Sequence, residues 1–280
     1  MGNARWDSDS WNQYSSTTRS LRQEEVFSRR QISEAFDPAK IQFRESCDSE
    51  QNPQSTPIII GLDVTGSMGF IADALAKEKL GPLVEDVLRL QPVRDPHFMF
   101  MGIGDIGDQA PLQVTQFEAD LKIGEQLRDI WLEKHGGAND SEAYNVPWHF
   151  AANYTKLDAF TKRNKKSYLF TVGDEQCPPD LSASDLSKVY GRHFTSGISN
   201  IDLLAAVREK YHVFHIIVEE GDYAKRHLTD VRRSWNNMLG ETYVINMPNH
   251  KNISDLIVQA IIRTEANEPQ VLHERVLDLT

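Results

Sequence analysis

From residue 57 onward, short apolar runs alternate with amphipathic stretches, which narrows the fold to a sheet of mostly parallel strands wrapped in helices. The runs cover residues 57–62, 98–103, 168–172, 211–218 and 243–246. They are apolar at nearly every position rather than at every second one. Strands of that texture are buried on both faces, as in a parallel sheet with helices above and below. The stretches between them carry helical spacing. Ile123, Leu127, Ile130 and Trp131 share one stripe, interrupted by Gly124, and Ile253, Leu256, Ile257, Ala260 and Ile261 share another. Residues 68–90 predict one helix or two short ones, with Gly81-Pro82 marking the break, because proline suits a first helical turn and disrupts an interior one. The expectation is an α/β domain over residues 56–266, doubly wound, with a mostly parallel central sheet flanked by helices on both faces.

The first 55 residues have a different texture, rich in Ser, Asn, Gln, Asp, Glu and Arg, and bury little apolar surface on their own. They read as a polar arm, partly extended or disordered, with a short helix near 23–36 and residues 40–44 along a sheet edge. Residues 267–280 read as a tail. Lys and Arg number 30 against 41 Asp and Glu, a net charge of -11, and no long basic run interrupts the excess. Nucleic-acid binding rests on phosphate neutralisation, so that partner class is disfavoured. Cys47 and Cys177 are too few for a disulfide framework or a paired-cysteine zinc site. No apolar run approaches the roughly 20 residues that span a bilayer, and residues 1–20 lack the apolar core of a secretion signal. The setting expected is the cytoplasm, with no membrane partner.

The chemistry concentrates where the first run ends, at Gly61-Leu62-Asp63-Val64-Thr65-Gly66-Ser67-Met68-Gly69. An apolar strand stops at an acid, two hydroxyls follow at alternate positions, and a helix begins. In such a turn the Asp63 carboxylate and the Thr65 and Ser67 hydroxyls can converge above the strand end, and three hard oxygens suit a Mg²⁺-like ion. Gly66 lets the backbone pass close by, and the helix start supplies N–H groups that orient the carboxylate. The same spacing also serves a plain helix cap at Thr65 or Ser67, with Asp63 closing the strand.

Asp63-x-Thr65-x-Ser67 after a buried strand resembles the metal-ion-dependent adhesion site of von Willebrand factor A domains, whose motif is Asp-x-Ser-x-Ser with Thr or Gly variants. The resemblance implies a Rossmann-like fold and two further loops at the metal. In the first, a Gly-Gly turn precedes a Thr ligand; here His135-Gly136-Gly137-Ala138-Asn139 puts Asn139 in that place, with Asp140, Ser141 and Glu142 as fallback ligands and an N-capping turn as the alternative. The second follows the neighbouring strand, and Asp174, displaced from the family's Thr-Asp-Gly pattern, is implied to receive a metal-bound water. The family's strand order sets the first and fourth strands side by side at the topological switch point, so Asp63 and Asp174 are expected to face each other. The wording is similar to bacterial or phage-borne intracellular members, some of which work beside AAA+ ATPases of the MoxR class.

One carboxylate and two neutral hydroxyls leave most of a cation's charge uncompensated, which favours an incoming acid group. The expected ion is Mg²⁺, with Mn²⁺ or Ca²⁺ as alternatives, and the expected function is a non-enzymatic protein-binding module. Its partner would present Asp or Glu, and a MoxR-type ATPase is one such partner. Two other classes stand beside it: a structural or scaffold protein of a phage or other assembly, and a metal-dependent hydrolase. A hydrolase needs a positioned base. His135 and His193 have no recognisable partner, while His212 and His215, three apart on one strand, point to opposite faces. The loop Gly104-Asp105-Ile106-Gly107-Asp108 reads as a turn outside the core site.

Overall fold

The computed structural model describes residues 4–133 and 142–267, with Ser67 described by its backbone alone. Eight strands occur among these: β1 (Arg44–Ser46), β2 (Thr56–Asp63), β3 (Pro96–Ile103), β4 (Leu112–Val114), β5 (Thr155–Leu157), β6 (Ser167–Gly173), β7 (Tyr211–Val218) and β8 (Val244–Met247). Six of them form the central sheet in the order β4-β3-β2-β6-β7-β8, and only β4 runs antiparallel to its neighbour. The five apolar runs of the sequence are its five parallel strands.

Every residue of β2 is buried, and successive side chains enter different cores. Ile58, Ile60 and Leu62 join Ile71, Leu75, Leu83, Leu127, Ile257 and Ile261 on one face, while Ile59 joins Trp148, Phe150, Leu203, Val231 and Trp235 on the other. Burying one such isoleucine contributes roughly 1.5–3 kcal/mol, and the double-sided burial accounts for the unbroken apolarity. The protein is therefore mixed α/β, with a mostly parallel sheet flanked by helices on both faces. Among the described residues no helix is long and apolar enough to cross a membrane.

Residues 69–90 do not break at Gly81-Pro82. Helix Gly69–Ala74 runs through a π-turn, Leu75–Lys79, into helix Leu80–Leu90. Pro82 has no N–H for the carbonyl four residues back, and the wide turn absorbs that loss. Two hydroxyls satisfy carbonyls of this segment: Ser15 Oγ donates to Lys77 O at 2.7 Å, and Ser254 Oγ donates to Lys79 O at 2.7 Å.

The first of these hydroxyls comes from the N-terminal arm, which carries a helix over Ser8–Thr18, capped by Asp7, that no apolar stripe in the sequence predicts. Trp11 on this helix is 3% exposed and seats on Gly81, where an added Cβ would lie 1.9 Å from Trp11 Nε1. Gly81→Ala is thus expected to lift Trp11 from its seat and cost roughly 2–4 kcal/mol, as overpacking and lost aromatic burial do. Thermal unfolding would read the loss, and faster tryptic cleavage at Arg19 and Arg22 would localise it to the arm.

The remainder of the arm differs from the expected pattern. Only Gln23–Val26 is helical in the 23–36 region, because few apolar side chains are spaced to dock a longer helix there. Of residues 40–44 only Arg44 is in a strand, Arg44–Ser46, which pairs with β5 in a two-stranded sheet separate from the main one.

Candidate metal centre

Strand β2 lies between β3 and β6, so the connections leaving its carboxyl end diverge to opposite faces and open a crevice there. Asp63, the last residue of β2, is 2% exposed at that edge. The chain then turns sharply. Thr65 is extended, Gly66 has a φ of 37°, and a short 3₁₀ turn over Gly66–Met68 leads into the helix. An added Cβ at Gly66 would meet nothing within 4 Å, so glycine is needed here for its left-handed backbone and not for space.

Asp63 is held by three donors. Its Oδ1 accepts the Thr65 N–H at 3.0 Å and the Thr65 hydroxyl lies 2.7 Å from the same oxygen, while Oδ2 accepts the Tyr144 hydroxyl at 2.8 Å. Glu142, 7% exposed, brings its Oε1 to 3.0 Å from the Thr65 hydroxyl, and its Oε2 is buried with no hydrogen-bond partner among the described residues. Asp174, 4% exposed, follows β6 and accepts the N–H groups of Tyr223 and Ala224 at 2.9 and 3.5 Å, at the start of helix Ala224–Leu239. Two bare backbones make room for this arrangement. A Cβ at Gly173 would lie 2.1 Å from the Tyr144 hydroxyl, and one at Gly221 would lie 2.2 Å from Asp174 Oδ2.

Burial is the main cause that raises the carboxyl pKa of Asp63, Glu142 and Asp174. The neighbouring acids push further in the same direction: Asp174 acts on Asp63, and Asp63 and Glu175 act on Glu142. Glu142 holds its proton more firmly, because three donors favour ionised Asp63 and only the Thr65 hydroxyl does the same for Glu142. That hydroxyl has one proton and faces both carboxylates, so the two acids compete for it and leave room for a further proton or cation. No ion pair from a described lysine or arginine reaches any of the three acids. The set is all oxygen, buried and short of positive charge, which fits a small hard cation. No three His, Cys, Asp or Glu converge into a cage among the described residues, so hydroxyls have to complete the shell.

Of the residues the sequence singles out, Asp63, Thr65 and Asp174 lie together at this edge, and the Ser67 backbone passes through the 3₁₀ turn beside them. Asn139 lies outside the described residues, as do His135, Asp140 and Ser141. Glu142, a fallback candidate, reaches Thr65. Tyr144 was not anticipated, since nothing in the sequence distinguishes an aromatic aimed at a carboxylate from one in a core. The histidines stay apart from the site. His193 is exposed, and His215 is buried, its Nδ1 2.9 Å from Thr171 Oγ1 and its ring stacked 3.6 Å from Trp235. Asp105 and Asp108 form the expected turn, with Asp105 N–H donating to Asp108 Oδ2 at 2.9 Å, and the turn abuts Ala143, whose N–H donates to Gly104 O at 3.1 Å.

No protein-family model matches the sequence, and no curated protein is significantly similar to it. Solved structures are. A form of the pilus adhesin SpaC from Lactobacillus rhamnosus GG superposes with a TM-score of 0.50 at 10% identity, covering 78% of this chain and 32% of that one. BatB from Bacteroides thetaiotaomicron matches with a TM-score of 0.42 at 15% identity over 76% of this chain and 100% of its own. The adhesive tip pilin GBS104 from Group B Streptococcus agalactiae matches with a TM-score of 0.42 at 10% identity over 75% and 100%. The chain spans about a third of the length of the SpaC adhesin. At 10% identity the SpaC likeness concerns the fold alone, and what it supports is the α/β sheet with helices on both faces.

Proposed function

We propose that this chain is a von Willebrand factor A-like module that holds a divalent cation, Mg²⁺ in first place, and uses it to bind an acidic side chain of another protein. Asp63, Thr65 and Ser67 would hold the ion, with Glu142 or Asn139 contributed by the next loop and Asp174 lying behind. The observation that carries the reading is the Thr65 hydroxyl held between two buried carboxylates, 2.7 Å from one and 3.0 Å from the other. A bound cation would replace a proton there, and a carboxylate from outside would take one of its water positions in a poorly solvated crevice. The chain's own residues set the geometry: Tyr144 orients Asp63, and the backbone ahead of helix Ala224–Leu239 orients Asp174. The activity proposed is binding; among the described histidines, His193 is exposed and His215 stacks on Trp235, apart from the cluster. Among acidic-partner classes, a MoxR-type AAA+ ATPase is the first to assay, on the resemblance in the motif.

Calorimetric titration tests the cation. The wild-type protein is expected to take up one Mg²⁺, Mn²⁺ or Ca²⁺, and Asp63→Ala to take up none. Asp63 is raised to about 7 and Glu142 to about 9, so protons compete with the ion below those values. Affinity should weaken by about tenfold per pH unit, for each proton displaced, as the pH falls from about 9 to about 6. Titrations in buffers of different ionisation enthalpy would count the released protons. Wild-type protein that takes up none of the three ions removes the proposal.

A further inference from the structure

Beside the metal centre, on the same carboxyl edge of the sheet, lies a second concavity of about 200 Å³. At about 30 Å³ per liquid water it has room for roughly six or seven, the size of a guanidinium group with part of its stem. Its walls include apolar surface from Ile106 and Leu181, the carboxylates Asp105, Asp180 and Asp185, and the amide residue Asn145. Asn145 is fully buried and its Oδ1 has no hydrogen-bond partner among the described residues. The orientation of this amide is set by its surroundings. Its Nδ2 donates to Pro179 O and to Asn200 Oδ1, both at 2.8 Å, and Asn200 is in turn oriented by donating from Nδ2 to Pro178 O at 2.7 Å. A flipped Asn145 would set its oxygen against two acceptors. The unmet need is therefore for a donor, and an unmet buried acceptor costs about 1–3 kcal/mol.

The charged residues that line the pocket have one sign. Asp180 accepts the Asn200 N–H at 2.7 Å and Asp185 accepts the Ser182 N–H at 2.8 Å, and each carries one further carboxylate oxygen. Lys188, outside the lining, donates to the Gly107 carbonyl at 2.8 Å. A metal ion fits poorly, since no three acidic side chains converge among the described residues and part of the wall is hydrocarbon. A cation with several N–H donors on an aliphatic stem fits both features.

We infer that this pocket receives an arginine or lysine side chain of the protein partner, next to the acid that the metal centre takes. The inference rests on the reading of this edge as the partner-binding face. Ala143 joins the two sites: it follows Glu142 in the chain and lines the pocket. Recognition is then bipartite, with an acidic and a basic residue of the partner engaged side by side, which gives specificity that a lone carboxylate contact lacks.

Proton–nitrogen correlation NMR of the full chain with n-propylguanidinium chloride tests this, with sodium chloride matching the ionic strength and urea as the neutral planar control. Guanidinium should shift Ile106, Ala143 and the Asn145 side-chain amide and saturate in the millimolar range, while urea should not. Asp180→Asn and Asp185→Asn, both near the surface and expected to fold, should each weaken binding by about threefold to tenfold. The response should persist without Mg²⁺ and in Asp63→Ala, so loss of the metal reading alone leaves this pocket standing, and the reverse holds too. An equal response to urea, no response at these residues, or affinity unchanged in both Asn variants would overturn the inference.

Discussion

Glu142→Gln is expected to stabilise the metal-free protein while removing most of its response to Mg²⁺. The glutamate is 7% exposed, sits against Asp63 and has a buried oxygen without a partner. Its folded pKa is raised to about 9 by burial first and by Asp63 second, whereas the same carboxyl in the unfolded chain titrates near its ordinary 4.5. A carboxyl raised on folding contributes stability that is fully present below the unfolded value and lost as the pH rises through the folded one. The metal-free wild type should therefore become less stable from about pH 5 to about pH 9, and Mg²⁺ should restore more at the alkaline end. Glutamine keeps the shape, donates to Thr65 and has no charge to bury, so at about pH 8 the variant should gain on the order of 2–4 kcal/mol. That is about 5–10 °C in Tm for a domain of this size. Thermal melts of both proteins with and without Mg²⁺ check the pattern. A lower Tm for metal-free Glu142→Gln would show that the cluster is a structural hydrogen-bond network, with no site awaiting a cation.

Gly173→Ala has the opposite sign. The added methyl would lie 2.1 Å from the Tyr144 hydroxyl and 2.3 Å from its ring, and both partners are buried, so neither can swing away freely. Overpacking of this kind costs about 3 kcal/mol. It should also break the 2.8 Å hydrogen bond that orients Asp63, so Mg²⁺ uptake should fall together with stability. Tyr144→Phe separates the two effects: it removes that hydrogen bond alone, at about 1–2 kcal/mol, and leaves the packing. The double variant Gly173→Ala, Tyr144→Ala should be less destabilised than the sum of its singles, because the smaller side chain clears the space. Additive costs would place the strain elsewhere in β6.

Local sequence determined the elements. Apolar positions from Ile58 to Leu62, with Asp63 directly after, state that a strand is buried on both faces and ends in a charge, whatever its neighbours are. Likewise Ile253, Ile257, Ala260 and Ile261 state a helix with one buried stripe, and Gly66 marks the turn. Periodicity records how much water each side chain escapes, and that is set within a few residues. It does not record which strand lies alongside which. That β6 is the neighbour of β2, so that Asp174 stands near Asp63, was decided by packing across the whole sheet. Glu142 reaches Thr65 across 77 positions and Tyr144 reaches Asp63 across 81, and no local pattern announces such contacts. The docking of Trp11 on Gly81 is of the same kind, since a bare glycine in a helix marks a close approach but not what approaches. Tertiary structure alone brought the acids together, because the energy that assembles them comes from the apolar surface around them and not from the acids themselves.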